Sequence, residues 1–122
     1  MANATAMIPF SASTQGQGVK VAATSSAGTL IHTTGTSATI VDRLSIWAFC
    51  SHSADVLLTI EFGGATAPDQ NIVQTIPFKT GLNLVVDGLI LLGNGSAALT
   101  VKAFAGTTNV IVLSGYVMRV TP

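Results

Sequence analysis

Apolar and polar residues alternate along this chain with the period of a β-strand, and clusters of Gly, Asn, Asp, Pro, Ser and Thr break the alternation at short intervals. Val56 to Phe62 carries the pattern most clearly, with Leu58, Ile60 and Phe62 on one face and Leu57, Thr59 and Glu61 on the other. Similar runs lie at Val19 to Ala23, Thr29 to Thr33, Ile40 to Cys50, Asn71 to Ile76, Leu82 to Val86 with an extension through Leu92, Ala97 to Ala105, and Val110 to Val120. Together they predict about eight strands. Loops such as Lys79-Thr80-Gly81, Gly93-Asn94-Gly95-Ser96 and Gly106-Thr107-Thr108-Asn109 supply the residues that chain reversals need. No window of about 11 residues keeps a helical apolar stripe, and β-branched residues dominate throughout, so no helix longer than a turn is expected.

This spacing predicts an all-β protein: a two-sheet antiparallel sandwich of about eight strands, with a jelly-roll connection favoured. An immunoglobulin-like sandwich is the alternative, but Trp47 has no pair of cysteines around it and the strand count runs slightly high. Residues 1–18 stand apart, being dominated by Ala, Ser, Thr, Gln and Gly. Only Met7, Ile8, Pro9 and Phe10 could anchor that stretch, so it reads as an extended N-terminal arm before a sandwich domain at 19–122, with those four residues as a candidate interface. Such an arm is expected to order only against a neighbouring subunit or a larger assembly.

With 122 residues the chain fits one domain. Five basic residues balance five acidic ones, which leaves no excess charge to hold phosphates, and nucleic acid is not an expected partner. Charged residues make up 8% of the chain, against about 25% in ordinary domains, and the mean hydropathy is +0.61. A membrane helix would need about 18 or more apolar residues in a row. The richest stretch, Leu82 to Leu92, is interrupted by Asn83, Asp87 and Gly88, so no membrane partner is expected. No charged segment precedes an apolar one at the N-terminus, so the expectation is synthesis in the cytoplasm of the producing cell. A neutral, charge-poor surface favours self-association, and a homo-oligomer is expected.

Candidate chemistry is sparse. Cys50, His52 and Asp55 lie close together, and Cys50 and His52 would share a face if the strand ran on, but catalytic partners seldom sit two residues apart on one strand. His32 and His52 lack the further closely spaced ligands that zinc requires. Asp42, Asp55, Glu61, Asp69 and Asp87 fall singly, without an acidic pair or a calcium loop. Gly16-Gln17-Gly18 and Gly93-Asn94-Gly95-Ser96 open no helix and so do not make phosphate loops. Most of the aromatic residues, Phe62 and Phe104 among them, sit within apolar alternation and are expected in the core, not on a sugar-binding face. Neither enzyme activity, nor a cofactor, nor a bound metal is expected.

The segments Leu30-Ile31-His32-Thr33, Ile46-Trp47-Ala48, Leu58-Thr59-Ile60-Glu61-Phe62-Gly63-Gly64, Gly81-Leu82-Asn83-Leu84-Val85-Val86, Val101-Lys102-Ala103-Phe104-Ala105 and Gly115-Tyr116-Val117-Met118-Arg119-Val120 follow one another as strands and turns. Over about residues 28 to 120 this succession resembles small structural proteins of tailed bacteriophages, most nearly the head decoration, or cement, proteins. The resemblance implies a virion component on the capsid surface, with the major capsid protein as partner and a trimer as the favoured oligomer. A tail or fibre component that contacts a host receptor is the alternative. The arm at 1–18 lies outside the resemblance.

Overall fold

The computed structural model describes residues 4–122, which form nine strands and no helix. These are β1 (Ala4–Ile8), β2 (Val19–Lys20), β3 (Thr29–Thr33), β4 (Val41–Cys50), β5 (Val56–Phe62), β6 (Asn71–Ile76), β7 (Asn83–Leu91), β8 (Thr100–Ala105) and β9 (Ile111–Thr121). One sheet has the order β1-β9-β4-β7, with β2 also paired to β9, and is called sheet A below. The other, sheet B, has the order β3-β8-β5-β6. From β2 onward the chain changes sheet at every connection except the β5–β6 hairpin, and every named pairing is antiparallel. This winding is the jelly-roll order, and it answers the choice that the sequence left open.

Hydrophobic alternation fixes which faces meet. Leu44, Ile46, Ala48 and Cys50 of β4 lie opposite Val117, Gly115, Leu113 and Ile111 of β9. Apart from Gly115 all of these are buried, and they pack against Leu58 and Ile60 of β5 and Val101, Ala103 and Ala105 of β8. Gly115 has to be small, because a Cβ there would meet the Ser45 carbonyl oxygen and come within 2.9 Å of the Phe10 ring. In β7, Gly88 adopts φ +69°, where the β4–β7 register shifts between Leu44 and Ser45, and Arg43 Nε donates to its carbonyl at 3.1 Å.

Two strands are shorter than the sequence predicts, and side chains explain both. The amides of Ala22 and Ala23 donate to Thr29 Oγ1 at 3.1 and 3.0 Å, which takes them out of the ladder and ends β2 at Lys20. Asn94 Oδ1 accepts from the amides of Ser96 and Ala97 at 3.0 and 2.8 Å, closing a turn ahead of β8, which begins at Thr100.

The N-terminal segment is continuous with the sandwich in the single chain. β1 pairs with β9 from Ala4↔Thr121 to Ile8↔Val117, and β2 resumes on the same strand at Val19↔Leu113. Between them, Phe10 enters the core with 2% of its surface exposed, and the Ala12 amide donates to the Ile31 carbonyl at 3.1 Å. Residues 4–18 therefore cross the open side of the sandwich between β9 and β3, where the expectation was a separate arm. Residues 1–3 lie outside the described part of the chain. Backbone pairing needs no apolar side chains, so a polar composition does not keep this segment off a sheet edge.

Replacing Phe10 by Ala is expected to lower stability by about 3 to 5 kcal/mol, because a buried aromatic side chain is lost. Met7→Ala, at a position 67% exposed, should stay within about 0.5 kcal/mol of wild type. Urea unfolding of both variants checks this, and equal effects would show that Phe10 does not anchor the segment.

Candidate docking surface and buried polar network

At one end of the sandwich three charged or titratable side chains from three strands converge. Asp42 on β4 and Arg119 on β9 are direct cross-strand neighbours. Arg119 Nε donates to Asp42 Oδ1 at 2.7 Å, and its Nη2 donates to Oδ2 at 2.8 Å. His32, from β3 of the opposite sheet, reaches Asp42 Oδ2 with Nε2 at 2.7 Å. Its Nδ1 accepts the Ser11 amide at 3.0 Å, which places the ring proton on Nε2, facing the carboxylate. Asp42 and His32 are each 1% exposed. Burial by itself would push the Asp42 carboxyl up, but the hydrogen bonds from Arg119 and His32, together with the Arg119 charge, outweigh it and hold the carboxyl below its ordinary value. The same bond raises Arg119 above its ordinary value.

Ser11, His32 and Asp42 bring together the residue types of a hydrolytic triad, but the connections differ. The histidine is bonded to the Ser11 backbone amide, and the Ser11 hydroxyl instead accepts from the Thr33 amide at 2.7 Å. With both ring nitrogens occupied and the ring buried, His32 has no free position from which to take a proton from a substrate. The network joins sheet A, sheet B and the N-terminal segment, and its work is structural.

The other residues that drew attention in the sequence do not converge. Cys50 is buried at the end of β4, with Sγ 3.8 Å from the Ala54 carbonyl, while His52 lies beyond the strand in the β4–β5 turn, so the shared face does not form. Asp55 Oδ1 accepts the Phe78 amide at 3.2 Å. Glu61 points to the outer side of sheet B yet is only 2% exposed, because the β2–β3 loop covers it. There it accepts from Ser26 Oγ at 2.6 Å and from the Gly28 amide at 2.7 Å. Among the described residues, no three His, Cys, Asp or Glu side chains gather as a metal site would require.

What the molecule does offer is a surface. The register of sheet A sets Met7, Met118, Arg43 and Ile90 side by side across β1, β9, β4 and β7. Adjacent rows hold Tyr116, Ser45 and Asp87, then Ser114, Trp47 and Leu84, then Val112 and Phe49, all on the side away from the core. Trp47 and Tyr116 contact diagonally, with ring centroids 6.0 Å apart. An open cleft of about 230 Å³ lies beside this face, where Met7, Ile8, Pro9 and Gln15 approach Gly115 and Tyr116. Of the four residues expected as an interface, Met7 and Pro9 are exposed, Ile8 is half-buried and Phe10 lies in the core.

The aromatic residues differ from expectation. Phe10 is fully buried, whereas Trp47, Phe49 and Tyr116 face outward on sheet A, Phe104 faces outward on sheet B opposite Thr59, and Phe78 is exposed. Phe62 packs at the margin of the core. Sheet A carries apolar residues on both faces, so alternation did not reveal which face turns inward.

Replacing Asp42 by Ala is expected to cost about 3 kcal/mol, since the paired cation and the buried His32 N–H lose their acceptor. Because folding lowers the Asp42 carboxyl from its value of 3.8, its contribution is complete above that pH and is lost as pH falls below it. Unfolding free energies measured down to pH 3 should therefore fall more steeply for wild type than for Asp42→Asn. Cys50→Ser should lose about 1 to 3 kcal/mol by burying a hydroxyl, while His52→Ala should be nearly neutral. A large effect at His52 would point to a role beyond folding.

Compared with protein-family models, with curated proteins and with solved structures, the chain finds no match in any of the three, so the case for its function rests on its sequence and on the surfaces described above.

Proposed function

We propose that this chain is a non-enzymatic structural subunit of a bacteriophage virion, of the decoration type. It attaches as a homo-oligomer to the outside of the head shell, contacts the major capsid protein and stabilises the shell. The observation that carries this reading is the outer face of sheet A, where apolar and aromatic residues outnumber polar ones, on a chain with a formal charge of zero. An apolar surface rimmed by polar residues marks a site of association. The assignment to phage heads rests on the resemblance of residues 28 to 120 to that class of protein. Support also comes from the polar groups, because the buried titratable side chains are engaged in holding the sandwich together.

Purified protein mixed with heads that lack decoration is expected to sediment with them and to saturate at a fixed ratio to the capsid subunit, with electron microscopy showing added density on the outer surface. If it stays in the supernatant with heads but sediments with tails or with host cells, the decoration reading is wrong and a tail or fibre role takes its place.

A further inference from the structure

We propose that the outer face of sheet A is the contact between two copies of this chain, which stack face to face about a two-fold axis. The central strands carry the argument. A strand covered on both sides reads as a near-continuous apolar run, whereas a strand with one wet side alternates. In sheet B the outward positions of the central strands are mixed, with Thr59 and Glu61 on β5 and Lys102 on β8 beside Leu57 and Phe104. In sheet A the balance moves toward apolar residues. Ile46 to Cys50 of β4 is apolar at every position, and of the outward residues on β4 and β9, Trp47, Phe49, Val112, Tyr116 and Met118 are apolar or aromatic, with Arg43, Ser45 and Ser114 among them. In the single chain these apolar and aromatic residues are half-buried, and β7 adds Leu84 and Ile90 at 46% and 60% exposure.

A second copy is the occupant that the surface fits. Each face presents two exposed cations, Arg43 on β4 and Lys20 on β2, and one exposed anion, Asp87, on the strand beside Arg43. A two-fold axis lets Arg43 and Asp87 each meet its opposite on the other copy, as an isologous contact requires. The net charge of zero removes long-range repulsion between copies. Four strands about 4.8 Å apart and about nine residues long span roughly 19 by 30 Å. That is on the order of 600 Å² in projection, most of the roughly 800 Å² per partner in a standard stable interface. Sheets that stack this way sit about 10 Å apart with their side chains interdigitated. A three-fold ring, which the resemblance implies, would bring unlike surfaces together at every contact and would not match this face with itself.

The proposal rests on the reading of the chain as a self-assembling structural subunit, and solution mass and head binding separate the two. Sedimentation velocity at micromolar concentration should give wild type as a dimer, and Ile90→Glu and Leu84→Glu as monomers whose melting, read on the monomer, is that of a folded sandwich. Val73→Glu, an equally exposed position on the outer face of sheet B (57% exposed), should remain a dimer. A wild-type monomer or trimer, or dissociation by Val73→Glu but not by Ile90→Glu, would overturn the face-to-face pair. If wild type is a dimer that fails to bind heads, the pair stands and the decoration role fails. If it binds heads as a monomer, the role stands and the pair fails.

Discussion

A carboxylate cannot be taken out of water without partners, and Asp42 at 1% exposure sets the terms for one end of this molecule. Its three hydrogen bonds come from β9 and from β3 of the opposite sheet, and His32 passes the connection on to the Ser11 amide of the N-terminal segment. A slip of one residue between β4 and β9 would turn Asp42 outward and break all of these bonds. The same slip would also turn Leu44, Ile46, Ala48 and Cys50 out of the core. Polar satisfaction and hydrophobic burial thus specify one register. Agreement between such independent terms gives a sequence a single structure.

Strand positions were largely legible because turn chemistry and period-two alternation are local signals. Thr29–Thr33, Val56–Phe62 and Asn71–Ile76 begin and end where the pattern places them. The polar network was not legible, since its members meet across sheets and their separation in sequence carries no message. One signal was available. Asp42 shares its parity with Leu44, Ile46, Ala48 and Cys50, so it had to point inward, and a buried carboxylate requires a donor. Glu61 shows why parity alone does not settle burial: it points away from the core, and the β2–β3 loop covers it from outside.

The N-terminal segment and the aromatic residues were misjudged for related reasons. Composition describes side chains, whereas β1 holds to β9 through its backbone, and most of its side chains are exposed. A single anchor, Phe10, seats over the gap that Gly115 leaves in β9. Apolar alternation places most of the aromatic residues inside, yet Trp47, Phe49, Tyr116 and Phe104 face outward, because an apolar run cannot distinguish the two faces of a sheet when both carry apolar residues. The same ambiguity reaches sheet B at Phe104, which stands opposite the outward Thr59.

The sparse charge of the chain is sparser still at its surface. Of the five acids, Asp42 and Glu61 are inside, so few carboxylates remain to oppose association. Edge lysines and inward-pointing charges are the usual devices that keep β-sheets apart, and β7, an edge strand of nine residues, carries Asp87 as its only charge. The β7 edge therefore has little to oppose association, while the buried charged groups of the interior are satisfied by hydrogen bonds. An assembly built on such a face draws on apolar burial far more than on ion pairs. Salt that screens exposed charges would leave most of that driving force in place.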